Sequence, residues 1–243
     1  MRALESLNDE FRVLRQLLRG MPRRGTQRQR LEGFYSDQAQ AYDRFRERLL
    51  AGRAELVAAI DLQPGEHLVE LGAGTGRNLA FFSASQRQHG RFTLVDLCAP
   101  LLQQAQRRWS DAPNVEVVSA DAAEYAPARL VDVVMLSYAL TMMPAWRAVL
   151  ANAQRMLVPG GRIAVVDFYV SSACPEQGLR RHSAITRAFW PRWFAHDGVQ
   201  LDPHRLDDLG ARFPRHRLVE DEHPVPYLPG LRVPHYRFVG HAS

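Results

Sequence analysis

The sequence predicts an α/β domain built on a parallel sheet wound on both sides. Two observations carry this: short apolar strands alternate with helical stretches from about residue 67 onward, and the chemically distinctive residues fall just after those strands. With 243 residues and 46% hydrophobic side chains, the chain is long enough to bury one sizeable core. It shows no internal repeat or low-complexity tract.

"HLVELGAG" reads as the first strand and a tight turn, with a helix from about Arg77. "RFTLVDL" reads as the second strand, "APLLQQAQRRW" as a helix and "VEVVSAD" as the third strand. "VDVVMLSYAL" supplies a fourth strand and "WRAVLANAQRML" a helix; "PGG" makes a turn before a fifth strand in "GRIAVVDFYV". Ahead of them, "LEGFYSDQAQAYDRFRERLLAGRAELVAAI" has helical character.

Charge and cysteine content exclude several classes. The net charge of +5 sits in residues 1–30, where eight arginines face three acids, so residues 31–243 are neutral and lack the broad basic face of a nucleic-acid enzyme. Cys98 and Cys174 have no zinc or redox spacing, and no metal site is expected. The N-terminus lacks a secretion signal, and the longest uncharged run, Val133–Trp146, is too short to span a bilayer. A cytoplasmic protein is expected.

The basic arm has a pattern of its own. Leu4, Leu7, Phe11, Leu14 and Leu18 recur at three- and four-residue steps, an arc of roughly 80° on a helix, flanked by Arg12, Arg15 and Arg19. Such a helix covers the domain or a partner subunit, or lies on an anionic membrane surface. All the basic residues are arginines, and the chain contains no lysine.

The ligand edge of an open α/β sheet lies at the carboxyl ends of its strands. There "ELGAGTGRN" places Gly72, Gly74 and Gly76 in a turn that a ligand can approach closely. Asp96 ends the second strand twenty residues beyond Gly76, where an acid accepts hydrogen bonds from ribose hydroxyls. Asp121 follows the third strand, within reach of an adenine amino group. A dinucleotide dehydrogenase would carry a third glycine where Arg77 stands.

These motifs resemble those of the class I S-adenosylmethionine-dependent methyltransferases. The resemblance implies a Rossmann-like, seven-stranded, mostly parallel sheet with helices on both faces, N-terminal helices, and a last antiparallel strand that "RHRLVEDEHPV" and "PHYRFVGH" complete. It implies S-adenosyl-L-methionine as cofactor, with S-adenosyl-L-homocysteine as product. The implied cofactor residues are Tyr42, Arg53, Glu70, Gly72, Ala73, Gly74, Asp96, Leu97, Asp121, Ala122 and Ser137.

A narrower resemblance rests on "FYSDQAQAYDRFRERLLAGR", "SYALTMMPAW", "VVDFYVS", "FWPRWFAHDGVQL" and "PYLPGLRVPHYRFVG". Together they are similar to the bacterial diacylglyceryl-homoserine N-methyltransferases of betaine lipid synthesis, from about Leu31 to His241. That family implies three methylations of one amine, giving diacylglyceryl-trimethylhomoserine. A separate homoserine-transferring (3-amino-3-carboxypropyl) enzyme would supply the substrate, and the protein would associate peripherally with the inner membrane.

The chemistry of such a reaction nominates further residues. Tyr35, Tyr138 and Tyr169 offer faces to a growing cation, and in the family resemblance Tyr35 and Tyr42 belong to a segment that closes over the cofactor. Asp167, His182 and His196 are candidate proton acceptors. Arg181 and Arg192 suit a substrate carboxylate. Trp190 and Trp193, with Phe189 and Phe194, read as an aromatic lid near residues 175–200 or as a hydrophobic plug, with Pro191 expected to prevent a long regular helix. Two other readings stay open: methylation of phosphatidylethanolamine, a quinone precursor or another small molecule, and a binding module that holds the cofactor without turnover.

Overall fold

A computed structural model describes residues 21–22, 24–35, 49–176, 178–225 and 230–242. The amphipathic arm and Tyr42 lie outside the described residues. In the described chain, α1 (Gln27–Tyr35) and α2 (Arg53–Ile60) precede β1 (His67–Leu71). Then come α3 (Ala84–His89), β2 (Arg91–Asp96), α4 (Ala99–Arg108), β3 (Val115–Ser119), β4 (Val131–Ser137) and α5 (Trp146–Met156). The chain closes with β5 (Leu157–Phe168), α6 (Ala184–Ala195), α7 (His204–Arg212), β6 (His216–Pro224) and β7 (Arg232–His241).

The seven strands form one sheet in the order β3-β2-β1-β4-β5-β7-β6. β1 to β5 pair in parallel, and β7 runs antiparallel between β5 and β6. The expected seven-stranded sheet is therefore present. Strand order reverses between β1 and β4, and the ends of two neighbouring strands diverge there to leave a crevice.

Both faces of the sheet are buried, so the central strands are apolar on both sides. Leu68, Val133, Met135, Ala164, Val166 and Phe168 pack on one face with α2 and the inner side of α6. Val69, Leu71, Val134, Leu136 and Val165 pack on the other with α5 and α7. Helix α5 shows why it docks: Val149, Leu150, Ala153 and Met156 recur at helical spacing and are all buried, each large side chain contributing about 1.5–3 kcal/mol.

Three local expectations change. The segment after Gly76 is not one helix from Arg77: a 3-10 turn, Arg77–Phe81, precedes α3, whose start is fixed by a capping box between Ser83 and Gln86. "PGG" lies within β5, where pairing with β4 jumps from Val131–Leu157 to Val133–Arg162, a bulge that Gly160 permits at φ 77°. Helix α6 runs through Pro191. Proline removes one backbone donor, and beside that gap the Arg192 guanidinium donates to the Ala188 carbonyl at 2.7 Å.

Candidate functional site

The crevice is a cavity of about 260 Å³ at the carboxyl ends of β1, β2 and β4. On its floor, Gly72 follows β1 at φ 76°. An added Cβ there would lie 2.5 Å from Ala139 Cβ and 2.9 Å from Met143 Cε, so the turn has room only for glycine. Asp96 braces the same turn. Its Oδ2 accepts from the Gly74 amide and its Oδ1 from the Cys98 amide, each at 2.8 Å. Burial raises its pKa, against the lowering effect of those two amides.

Behind the turn lies a buried relay of polar groups. Glu70 Oε1 accepts from Asn78 Nδ2 at 2.6 Å, and Asn78 Oδ1 accepts from the Arg53 guanidinium at 3.4 Å. Glu70 is fully buried, and burial, aided by the Asp96 charge, pushes its carboxyl up to about 8. Glu70 Oε2 and Ser137 Oγ are buried with no partner in the structure. Such atoms in a native interior point to partners that arrive with a ligand or water.

Tyr138 stands at the opposite wall with φ 51°. A bulky residue rarely adopts this backbone, and such strain collects at functional sites. Three contacts hold it: its amide donates to Val166 O at 2.8 Å, its hydroxyl donates to Ala51 O at 2.7 Å, and its ring lies 4.5 Å from Phe168. Burial keeps the hydroxyl protonated, its pKa raised well above the ordinary phenol value.

Helix α1 closes the remaining side. Gln27, Leu31 and Tyr35, four residues apart, all line the cavity. Gln27 Nε2 donates to Met142 O at 2.8 Å, and the Tyr35 hydroxyl bonds Met142 Sδ at 3.3 Å. Met142 ends a 3-10 turn, Leu140–Met142. That turn is held from below by Asp167, whose carboxylate accepts from the Thr141 amide at 3.0 Å and the Thr141 hydroxyl at 2.8 Å.

The structure thus brings together Tyr35, Arg53, Gly72, Ala73, Gly74, Asp96, Leu97, Asp121, Ala122, Ser137 and Tyr138 around one cavity. Glu70 sits one layer behind, holding Asn78. Sequence reasoning missed Asn78, Gln27, Met142 and Cys98. Asn78 carried a faint signal as the polar residue after "GTGR". Burial pushes the Cys98 thiol up to about 12, so it lines the wall as a neutral group.

The remaining expected residues do not line this cavity. Asp167 and Tyr169 alternate with Phe168 and so face the other core. Asp167 spends its oxygens on Thr141 and on the Phe168 amide, and burial raises its pKa to about 6. The Tyr169 hydroxyl is committed to Glu220 Oε1 at 2.6 Å, and burial raises its pKa. His182 packs edge-on against Tyr169, its Nδ1 accepting from the Ser171 amide at 2.9 Å; burial lowers its pKa. His196 is exposed at the end of α6.

Arg181 and Arg192 are exposed away from the cavity wall. The aromatic block does not share one face. Trp190 and Phe194 are buried, whereas Phe189 and Trp193 point outward, because residues four apart stack while neighbours diverge by about 100°. The inner pair is part of the buried core, and neither tryptophan lines the cavity.

The site fits S-adenosylmethionine. The glycine turn leaves open backbone, Asp96 lines the cavity beside it, and Ser137 on the cavity wall has a buried hydroxyl without a partner. The fold is that of the class I S-adenosylmethionine-dependent methyltransferases, and the cavity lies at the sheet edge where that fold binds its cofactor. Residues 68–161 match the family described as "Methyltransferase domain".

The chain is 26% identical to the ubiquinone/menaquinone biosynthesis C-methyltransferase UbiE of Ruegeria sp. (strain TM1040), over 63% of this chain and 63% of that protein. The Vibrio parahaemolyticus protein of the same name is 32% identical over 44% of this chain and 42% of its own length. The matched regions thus span less than two thirds of these relatives. Among solved structures, the fold is similar to that of the N-methyltransferase NodS from Bradyrhizobium japonicum WM9 in complex with S-adenosyl-L-homocysteine. That match has a TM-score of 0.62 and 15% identity over 86% of this chain and 98% of that one. The 1,6-didemethyltoxoflavin-N1-methyltransferase of Burkholderia thailandensis gives a TM-score of 0.59 and 20% identity over 89% and 87% of the two chains.

Proposed function

We propose that this chain N-methylates a lipid-borne amine, diacylglyceryl-homoserine, to give the trimethylated betaine lipid. The observation that carries an amine acceptor is the pairing of Tyr35 and Tyr138 in the same cavity as the glycine turn and Asp96. Neutral phenol rings attract a quaternary ammonium without neutralising it, and the raised pKa of Tyr138 keeps its ring neutral across the working range. The lipid itself is supported by the family resemblance of the sequence.

Arg53, Asn78, Gly72 to Gly74, Asp96, Asp121 and Ala122 would hold the cofactor. When bound, S-adenosylmethionine supplies an electrophilic methyl group on a sulfonium. The protein's part is alignment of the amine and exclusion of water, which the clasp of α1 over Met142 provides. Asp167, His182 and His196 do not line the cavity, so on this reading the amine gives its proton to water before the first transfer, and the protonated products of the first and second transfers do the same before the next. The homoserine-transferring enzyme acts upstream on this reading.

A second reading is methylation of a quinone precursor, favoured by the UbiE relatives named above. Lipid mass spectrometry separates the two in a bacterium without betaine lipids that expresses the homoserine-transferring enzyme, with and without this protein. The proposal expects diacylglyceryl-homoserine to be replaced by a product three methyl groups heavier. An untouched precursor, from folded protein that binds S-adenosylhomocysteine, would overturn it.

A further inference from the structure

The outer face of α6 carries an apolar ridge that the fold does not use. Ile185, Phe189 and Trp193 are 80%, 37% and 47% exposed and follow one another at intervals of four residues, so they form one stripe along the helix. They account for three of the five exposed large apolar side chains among the described residues. The Phe189 and Trp193 rings lie 5.6 Å apart and support one another.

The ridge is continuous with the cavity through rings. Phe189 packs on buried Trp190 at 4.9 Å and Trp190 on Phe194 at 5.6 Å. Phe194 stacks on Phe168 at 4.7 Å, and Phe168 meets Tyr138 of the cavity wall at 4.5 Å.

The charge along this stretch of chain has one sign, with Glu176 before it and Asp197 after it. Residues 178–196 hold Arg180, Arg181, Arg187 and Arg192 and no acid. Arg180 is engaged with Glu222 at 3.4 Å and Arg187 with Ser172 O at 3.1 Å. Arg181 and Arg192 stand exposed near the two ends of the ridge, one guanidinium nitrogen of Arg192 donating to Ala188 O at 2.7 Å.

We infer that this face of α6 is a membrane-docking surface for an anionic bilayer, with Ile185, Phe189 and Trp193 entering the headgroup boundary and Arg181 and Arg192 meeting lipid phosphates. The inference deepens the lipid reading above and rests on it. Aromatic and aliphatic side chains on one stripe with arginines alongside are what an interfacial helix requires, and tryptophan favours the boundary between apolar and wet regions. A second copy of the chain fits less well. The ridge exposes on the order of 300 Å², judged from ordinary side-chain areas, against about 800 Å² per partner in a stable interface. A bilayer needs no matching partner surface.

The test uses the full chain without substrate: co-sedimentation with phosphatidylcholine vesicles with and without phosphatidylglycerol. Quenching of tryptophan fluorescence by brominated lipids is read alongside it. The parent protein should bind phosphatidylglycerol vesicles and be quenched. A variant with Ile185→Ser, Phe189→Ser and Trp193→Ser should lose roughly tenfold or more in partitioning, with unchanged S-adenosylhomocysteine affinity and a melting temperature only a few degrees lower from the lost ring contacts. Trp193→Phe should bind but lose most of the quenching, and Arg181→Glu with Arg192→Glu should abolish the preference for anionic lipid.

Equal binding by the triple variant would overturn the inference. So would a dimer that the triple substitution dissolves, marking a second copy as the occupant. A drop in melting temperature of the triple variant on the order of 10 °C or more would overturn it as well, showing that another segment of the chain covers the ridge. Methyl transfer to detergent-dispersed diacylglyceryl-homoserine is measured separately. Vesicle binding without transfer contradicts the lipid acceptor, whereas transfer without ridge-dependent binding contradicts the docking surface.

Discussion

Replacing Gly72 by alanine should cripple cofactor binding, for a reason that a second glycine isolates. Gly72 and Gly160 have nearly the same φ, 76° and 77°. An alanine in this left-handed region costs about 1–2 kcal/mol at either place. Only at Gly72 does the new Cβ meet an obstacle, Ala139 Cβ at 2.5 Å, whereas at Gly160 nothing lies within 4 Å. Carbon atoms rest at about 3.5–4.0 Å, so Ala139 or the turn must retreat by roughly 1 Å. Ala139 leads into the 3-10 turn that Asp167 pins through Thr141, and forcing a packed site of this kind costs a further ~1–3 kcal/mol.

At about 2–4 °C per kcal/mol for a chain of this size, Gly160→Ala should lower the melting temperature by a few degrees and leave S-adenosylhomocysteine binding unchanged. Gly72→Ala should lose about twice as much stability. It should also bind S-adenosylhomocysteine at least roughly tenfold more weakly, the equivalent of ~1.4 kcal/mol. Calorimetric titration and differential scanning calorimetry of the two variants check this. A Gly72→Ala protein that binds as the parent does and melts with Gly160→Ala would refute the close-approach argument.

Three further outcomes follow from the same geometry. Glu70 has a folded pKa of about 8 against an ordinary 4.5, so between those values the folded chain holds a proton that the unfolded chain has released. Stability should be fullest below about pH 4.5 as far as Glu70 is concerned and fall as pH rises through 8; Glu70→Gln should flatten that fall in urea titrations. Trp190→Ala removes a buried ring and should cost about 3–5 kcal/mol, while Trp193→Ala, nearly half exposed, should cost under ~1 kcal/mol in the same assay. With Asp167, His182 and His196 off the cavity wall and the acceptor amine deprotonated by solvent, kcat/KM should rise with pH along the titration of that amine, and an acceptor of lower amine pKa should shift the profile by the same amount.

The sheet and the cofactor edge were legible because their signals are local. Gly72, Asp96 and Asp121 lie at or within two residues of a strand's carboxyl end, so strand assignment alone carries them to the same edge of the sheet. Residues whose role depends on facing direction were misjudged. Asp167, Phe168 and Tyr169 stand next to one another in sequence, yet two-residue alternation sends Phe168 into the core that holds Tyr138 and its neighbours to the opposite face of the sheet, and none of the three lines the cavity. Helix α6 shows the same problem at helical period: the aromatic block splits into an inner pair, Trp190 and Phe194, and an outer pair, Phe189 and Trp193. Gln27 was invisible because its partner, the Met142 carbonyl, lies 115 positions away, and an isolated glutamine in a polar helix carries no pattern.

The central claim, methyl transfer to a lipid amine, is tested most directly with purified protein, S-adenosylmethionine and three detergent-dispersed acceptors: diacylglyceryl-homoserine, phosphatidylethanolamine and a demethylated quinol. Mass spectrometry of the lipid is read together with S-adenosylhomocysteine release. The account predicts a ladder of one, two and three added methyl groups on diacylglyceryl-homoserine alone, ending in the quaternary ammonium. Methylation at carbon of the quinol, with the homoserine lipid unchanged, would contradict it.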